Sequence, residues 1–338
     1  ALEKEGLLDR SIEFLPDDET LSQRMNDRQG LTRPELSVLL AYAKLVLYDE
    51  LLLSDLPDEP WMGQEVVRYF PEPLREQYAA EIGRHSLRRE IAATVLTNAI
   101  LNRVGITFVG EMKERTGVPA DDIARAYVAA RDVLGLPEIW RSIEALDNEV
   151  PAALQTEMLI EASSTVEQVV VWILRELPRP LDVPEIVRAY RDGVRDLGEN
   201  LDELLPASHQ ISYAGRKEQL TARGAPDPLA RRVVGLEALA PGCDIVRIAK
   251  AAGIPVQQAA EVYYGVGEAY GFDWLQRATA EIPQDSAWQK LAVQSVIDDL
   301  YSHQGAIAAR VLEVATDEDQ RAVDVIRRWN ETRGPLVE

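Results

Sequence analysis

The stretch LTRPELSVLLAYAKLVLYDELLL, residues 31–53, carries the clearest structural signal in the chain. Thr32 and Glu35 have the spacing of a capping box, in which each residue's side chain satisfies a free backbone N–H at a helix start. Pro34 falls in the first turn, where its missing donor costs nothing. Apolar residues then recur every three or four positions, so the sequence predicts a long amphipathic helix over the rest of the stretch.

The same periodicity continues along most of the chain. Alternating β-branched or aromatic runs are scarce, and the one Asp-Gly pair, Asp192-Gly193, lies inside a helical pattern rather than between two strands. We therefore expect an all-α protein, a multi-helix bundle with two lobes. Further helices are predicted near residues 18–28, 73–83, 86–104, 106–116, 119–134, 137–146, 152–177, 184–197, 228–239, 243–252, 255–270, 272–281, 286–302 and 304–330.

An internal repeat with an offset of 136 residues organises the bundle. Gly117-Val118-Pro119 begins a run that reaches Gly135, and Gly253-Ile254-Pro255 begins another that reaches Gly271. In each run a glycine ends one helix, and a β-branched residue followed by proline starts the next one at a fixed entry angle. The repeat predicts two related helical lobes, roughly 85–165 and 225–305.

The domain boundaries follow from the repeat and from proline spacing. Residues 178–228 contain six prolines and a polar run, which indicates an irregular connection around one or two helices. We expect an N-terminal lobe at 1–178, a Pro-rich connection at 179–228 and a second lobe at 229–338. Because the first residue is Ala and not Met, we also expect the chain to be a fragment of a longer one.

Composition excludes several function classes. With 36 Lys and Arg against 57 Asp and Glu, the net charge is −21, which disfavours nucleic acid and anionic membrane surfaces. No apolar run approaches the roughly 18 residues that a membrane span needs. The single cysteine, Cys243, cannot form an internal disulfide, so a reducing compartment such as the cytoplasm is expected.

Patterns that carry chemistry are weak. Gly265, Gly267 and Gly271 have a spacing close to a dinucleotide fingerprint, but they lie in a helical pattern with no preceding strand, which favours close helix packing. Cys243 opens a predicted helix, where a thiol pKa can fall, yet no histidine is near it in sequence. A buried or incidental thiol is the simpler interpretation.

Acidic and histidine pairs raise the alternative of a carboxylate–metal enzyme. Glu81 with His85, and Asp299 with His303, are each four residues apart and would share a helix face. Asp121-Asp122 and Asp298-Asp299 resemble the start of an Asp-rich magnesium motif, but neither pair continues as D-D-x-x-D. Helix capping and solvated pairs explain these residues more simply, and we assign no catalytic, cofactor or metal residue.

One string is more specific than helix capping requires. Arg28 to Lys44, which includes Leu-Thr-Arg-Pro-Glu-Leu, resembles the C-terminal region of the large bacterial NAD-specific glutamate dehydrogenases. The resemblance extends from about residue 1 to at least 205. Further matching stretches are Tyr69-Phe70-Pro71, Leu87 to Ile91, Thr97-Asn98, Asn102-Arg103 and Gly105 to Phe108.

The resemblance implies an activity for a longer parent chain. Members oxidise L-glutamate with NAD and water to 2-oxoglutarate, ammonia and NADH, at sites upstream of this region. It therefore implies a non-catalytic C-terminal domain that acts in packing, assembly or regulation, with no cofactor of its own. The implied partners are the upstream catalytic domain and further copies of the parent in a homo-oligomer.

The predicted contact surface is the start of the long helix. Its polar residues are more specified than capping demands, and they are Thr32, Arg33, Glu35, Tyr42 and Lys44. The alternative from another class is a free-standing all-α enzyme with a carboxylate–metal site.

Overall fold

The computed structural model describes residues 2–3, 6–284, 286–315 and 321–333. These residues form helices and contain no strand, which confirms the all-α prediction. A short 3₁₀ helix spans Leu56–Asp58. The α-helices are α1 (Asp18–Asn26), α2 (Arg33–Leu53), α3 (Met62–Tyr69), α4 (Glu72–Gln77), α5 (Ala79–Gly83), α6 (Arg88–Val104), α7 (Phe108–Thr116), α8 (Ala120–Val133), α9 (Leu136–Glu144), α10 (Ala152–Glu176), α11 (Val183–Leu204), α12 (Ala207–Ala222), α13 (Asp227–Leu239), α14 (Gly242–Ala252), α15 (Val256–Tyr270), α16 (Phe272–Ala280), α17 (Ala287–Leu312) and α18 (Ala322–Arg333).

The chain divides into two compact units. Unit 1 comprises Ala1–Gly110 with Pro119–Ala124, and unit 2 comprises Glu111–Val118 with Arg125–Glu338. This division falls near residue 110, and the domain boundaries expected at 178 and 228 stay a prediction. The region expected as a connection, 179–228, contains α11 and α12, and both pack against α13.

Unit 1 is built around α6. This helix packs against α2, α3 and the 3₁₀ helix. Its small residues Ala92 and Ala93 are fully buried, and so is Ile100. Small side chains on α6 let the neighbouring helices approach closely, so a few large residues such as Leu51 and Met62 fill the core.

Unit 2 has α15 near its centre. This helix packs against α11, α14, α16, α17 and α18. A second group of helices, α9, α10, α11 and α12, packs around α13. Because α15 has neighbours on most sides, its aromatic residues Tyr263 and Tyr264 are both buried.

Four glycines mark the helix ends that the repeat predicted. Gly117, Gly135, Gly253 and Gly271 have φ values of +70°, +64°, +68° and +74°. This left-handed conformation ends a helix readily at glycine and at little else.

The 136-residue offset also relates helix bounds. Adding 136 to the first and last residue numbers of α9 gives the bounds of α16. Adding 136 to the last residue number of α10 gives the last residue of α17. The ends of α7 and α14, and the starts of α8 and α15, agree in the same way. We call Phe108–Glu176 the first segment and Gly242–Leu312 the second segment.

Two predicted helix boundaries were wrong. The separate helices at 286–302 and 304–330 are replaced by one continuous helix, α17, and by α18, because Gly305 alone does not end a helix whose neighbours pack on it. The single helix at 73–83 is two short helices that meet at Tyr78.

Among the described residues, no single helix is long and apolar enough to cross a membrane. Only Arg88–Val104 and Phe108–Thr116 taken together, as a bent pair, reach that length and composition.

Candidate functional site

The predicted surface on α2 divides between two faces of the helix. Arg33 and Lys44 are eleven residues apart, about three turns, so they share one face. Glu35 and Tyr42 are seven residues apart, about two turns, and lie on the opposite face. The five predicted residues therefore do not form a single patch.

The face with Glu35 and Tyr42 is occupied by contacts inside unit 1. Arg24 Nη1 donates to both carboxylate oxygens of Glu35, at 3.0 and 2.8 Å. The backbone N–H of Thr32 donates to the same carboxylate at 2.6 Å, as the capping box predicted. Hydrogen bonding to Arg24 lowers the pKa of Glu35. The Tyr42 hydroxyl donates to Glu13 at 2.6 Å, so these positions fasten α2 to the segment before it.

Unit 1 leaves much apolar surface uncovered. Eleven of the nineteen exposed large apolar side chains in the described part of the chain lie between Leu7 and Leu87. Only two of the 21 residues of α2, Leu47 and Leu51, are buried. Phe14 is 91% exposed and Leu53 is 87% exposed. An apolar concentration of this kind is typical of a surface that contacts other polypeptide.

The metal alternative gains no support from the structure. Gly83 ends α5, so His85 lies beyond the helix that carries Glu81. His303 Nδ1 lies 2.6 Å from the backbone oxygen of Asp299 rather than from its carboxylate. Among the described residues, no group of three or more His, Cys, Asp or Glu side chains is placed to hold a metal ion.

The glycine motif and the cysteine are structural. A side chain added at Gly265 would meet Ile326, and one at Gly267 would meet Asp273 and Gln304, which confirms close helix packing. Cys243 is 1% exposed, and burial raises the pKa of its thiol. A buried, protonated thiol is a poor nucleophile.

Unit 2 contains a cleft between α10, α14, α15 and α17, with buried acids beside it, that no sequence pattern indicated. Asp298 accepts two hydrogen bonds from Arg115 Nη2, at 2.9 and 2.8 Å, and both side chains are more than 90% buried. Arg175 Nη2 lies 3.3 Å from the same carboxylate. The sequence flagged Asp298 as half of an acidic pair, but its partners are 183 and 123 residues away, so no local spacing could have revealed them.

A second buried carboxylate lies in the same cleft. Asp244 Oδ1 accepts hydrogen bonds from Arg247, at 2.6 and 3.0 Å, and from Trp172 Nε1, at 3.2 Å. The other oxygen lies so close to the backbone of Gly305 that a Cβ there would be 1.9 Å from it. Asp298 is thus held by the buried Arg115 with the partly exposed Arg175 beside it, and Asp244 is held by the partly exposed Arg247.

Aromatic side chains complete the cleft. Trp172, Tyr263 and Tyr301 line it together with Val171 and Pro241, and its volume is about 60 Å³. The Tyr263 hydroxyl is buried and has no hydrogen-bond partner among the described residues. Burial raises the pKa of Tyr263 well above its usual value, so the hydroxyl keeps its proton.

Comparison with known proteins decides the family. The family model described as "Glutamate dehydrogenase, C-terminal" matches residues 28–338. The chain belongs to this family.

Members of the family from three bacteria match most of the chain. The chain is 36% identical over 337 residues to the NAD-specific glutamate dehydrogenase of Pseudomonas aeruginosa, covering 100% of this chain and 21% of that protein. It is 36% identical to the Halomonas elongata protein and 32% identical to the Mycobacterium tuberculosis protein of the same name, covering 92% and 91% of this chain. The chain spans about a fifth of the length of these relatives.

The family description and the structure agree that this is a C-terminal region whose described residues form helices. The family model carries the description C-terminal, and four-fifths of each relative lies outside the match. The described residues contain no strand that could precede a dinucleotide loop, and the glycine-rich run is the interior of α15. The glycine-rich run is therefore not a dinucleotide-binding loop.

Proposed function

We propose that the chain is the non-catalytic C-terminal helical domain of an NAD-dependent glutamate dehydrogenase and that it packs against the catalytic part of the same protein. The parent reaction would convert L-glutamate, NAD and water to 2-oxoglutarate, ammonia and NADH. The single observation that carries the contact is the exposed apolar surface of unit 1 between Leu7 and Leu87. The similarity to NAD-specific glutamate dehydrogenases about five times as long supports the activity of the parent.

The proposal extends to assembly and location. We propose a homo-oligomeric parent in the cytoplasm, which needs neither nucleic acid nor membrane as a partner. The net charge of −21 supports the absence of nucleic acid, since phosphate would be repelled. NAD belongs to the catalytic part in this proposal, and no step of its chemistry involves these residues.

Within unit 1, we propose that the Arg33 and Lys44 face of α2 belongs to the contact. The opposite face is already bound to Arg24 and Glu13, whereas Arg33 is exposed and Lys44 is half-buried. Leu36, one turn after Arg33 on the same side of the helix, is 44% exposed.

The test is substitution in the full-length protein. We expect Arg33→Ala, Lys44→Ala and Leu36→Ser each to lower glutamate–NAD turnover or to change the oligomeric mass measured by light scattering. Ile211→Ser is the matched control, because Ile211 is 76% exposed in unit 2 and outside the proposed contact. Tyr42→Ala serves as a second comparison, since it removes a contact within unit 1. Wild-type turnover and mass in all three test variants would contradict the proposal.

A further inference from the structure

Two aspartates of the cleft between α10, α14, α15 and α17 are paired with arginines, and the third acid of its lining, Glu176, lies 3.9 Å from Arg247 Nη2. Asp298 accepts two hydrogen bonds from Arg115 and has Arg175 beside it. Asp244 is bound by Arg247 and Trp172 on one oxygen and pressed against Gly305 on the other. The arginines of these pairs keep donors for a ligand, because a guanidinium has five N–H groups and the pairs use few of them.

The two arginines lie at the mouth of the cleft. The Arg175 side chain is 34% exposed and that of Arg247 is 45% exposed, whereas the aspartates that hold them are buried. An arginine fixed by a buried aspartate has lost its conformational freedom before a ligand arrives, which reduces the entropy cost of binding an anion. Guanidinium groups bind carboxylates especially well, since the two planar groups match in geometry.

Tyr263 supplies a donor in the interior. Its side chain is 1% exposed, its ring packs edge-to-face against Tyr264 at 5.8 Å, and its hydroxyl has no partner among the described residues. A buried hydroxyl without a partner costs free energy, so it is retained more readily where a ligand oxygen completes it. Next to it, the Tyr264 hydroxyl donates to the Ala238 backbone oxygen at 2.7 Å, which makes the two tyrosines a natural pair for comparison.

Apolar groups also line the cleft. Val171, Pro241 and the rings of Trp172 and Tyr301 form its lining together with the two arginines and Tyr263. The volume of about 60 Å³ has room for about four water molecules, or for a ligand of a few non-hydrogen atoms. A ligand that satisfies this arrangement has an anionic end, a short carbon body and a second oxygen.

We propose that this cleft binds a small carboxylate with a second oxygen function, of the hydroxy-acid class. The carboxylate lies at Arg175 and Arg247, and the second oxygen accepts the hydrogen bond of the Tyr263 hydroxyl. The site is independent of the interdomain contact proposed for unit 1, so the failure of one proposal leaves the other standing.

The experiment measures binding of lactate, propionate and lactamide to the full-length protein by isothermal titration calorimetry. Propionate lacks the hydroxyl of lactate, and lactamide lacks its charge. We expect lactate to bind about 5- to 10-fold more tightly than propionate, the value of one hydrogen bond. Lactamide should bind at least about 10-fold more weakly than lactate, because it loses the charge-assisted bonds.

Two tyrosine variants separate binding from folding. Tyr263→Phe removes only the unpartnered hydroxyl, so it should keep or raise the unfolding temperature and abolish the preference for lactate over propionate. Tyr264→Phe removes a hydrogen bond that does not line the cleft, so it should lower the unfolding temperature and keep the preference. Arg175→Gln should weaken lactate and propionate equally.

Three results would overturn the proposal. The first is the absence of lactate binding to the wild-type protein. The second is an equal affinity for lactate and lactamide. The third is a lactate preference that is the same in the wild-type protein and in Tyr263→Phe, since a hydroxyl that is only an unfilled position in the core would raise stability on removal without changing this preference.

Discussion

The first and second segments have helices of matching bounds and differently filled interiors. In α10 of the first segment, Ala162 and Val169 are buried and apolar. The corresponding positions of α17, 136 residues later, are Asp298 and Gly305. Asp298, in place of an alanine, supplies one carboxylate of the cleft. Gly305, in place of a valine, leaves room for the other, that of Asp244. One helical framework can therefore hold either an apolar core or a polar cluster, depending on the residue types at a few positions.

The segments also differ in how far corresponding apolar side chains are shielded from solvent. Ile139 and Leu146 in the first segment are 2% and 7% exposed, whereas Leu275 and Ile282 at the corresponding places are 37% and 49% exposed. Each helix packs against two others, α9 against α10 and α13, and α16 against α15 and α17. At these two positions the side chains of the second segment are thus more exposed to solvent.

The largest effect should come from breaking the ion pair of the second segment. Arg115→Met leaves Asp298 buried with only Arg175 near it, and we expect a loss of about 3–5 kcal/mol in the free energy of unfolding. The double variant Arg115→Met with Asp298→Ala, which copies Ala162 of the first segment, should recover most of that loss. Urea unfolding followed by circular dichroism measures both, and a double variant as unstable as the single one would contradict the comparison.

The difference in coverage gives the next effect. Ile139→Ala should cost about 2–4 kcal/mol in unfolding free energy, because it leaves a cavity in a closed core. Leu275→Ala at the corresponding position should cost less than about 1 kcal/mol, since its side chain is already partly in water. Equal losses in the same denaturation assay would show that the two faces are equally covered.

Gly305 tests the difference between the two segments at one position of α17. Alanine at Gly305 would place its Cβ 1.9 Å from Asp244, so Gly305→Ala should destabilise the protein by about 1–3 kcal/mol. Gly215→Ala is the matched control in α12, where nothing lies within 4 Å, and it should stabilise by about 0.5–1 kcal/mol. Thermal unfolding distinguishes the two, and a stabilising Gly305→Ala would mean that the Asp244 carboxylate is free to move.

The smallest effect concerns pH. Burial, and then repulsion from Glu111, raises the pKa of Glu167 above its usual value, against the attraction of Arg115 and Lys290. The folded state therefore binds this proton more tightly than the unfolded state, and stability falls as the pH rises through the interval above 4.5.

Glu167→Gln should remove this loss of stability with rising pH. We expect the variant to be slightly more stable than the wild-type protein at pH 7, with the advantage disappearing below pH 4.5. Denaturation at a series of pH values measures this difference. A variant that is less stable at pH 7 would indicate that the attraction of Arg115 and Lys290 outweighs burial.

The sequence could predict those features that depend on local spacing. The capping box of α2 and the left-handed glycines at helix ends involve residues within a few positions of one another. The packing role of Gly265 and Gly267 followed from their place inside a helical pattern, although Ile326 and Gln304, which they approach, are distant in sequence. Family resemblance was visible for the same reason, because Leu-Thr-Arg-Pro-Glu-Leu is a contiguous string. Local patterns could not show where the units divide, since that depends on which distant helices pack together.

The cleft escaped prediction because its parts are far apart in sequence. These parts come together only when five helices have packed, and they are Arg115, Arg175, Asp244, Tyr263 and Asp298. The residue types gave no separate warning, since arginine and aspartate are common on helix surfaces. The glycine opposite Asp244 was a possible signal, as Gly305 lies in the middle of a long helix, where glycine has a cost.

The contacts of α2 determine which of its turns open most easily. Its first turn is tied down by the Arg24–Glu35 pair and the middle by Tyr42, but its buried residues, Leu47 and Leu51, both lie near the C-terminal end. The free energy needed for local opening is therefore lower in its N-terminal half than in α6, where buried side chains run the whole length. Amide hydrogen exchange slower in the full-length protein than in this chain would map which turns of α2 become covered.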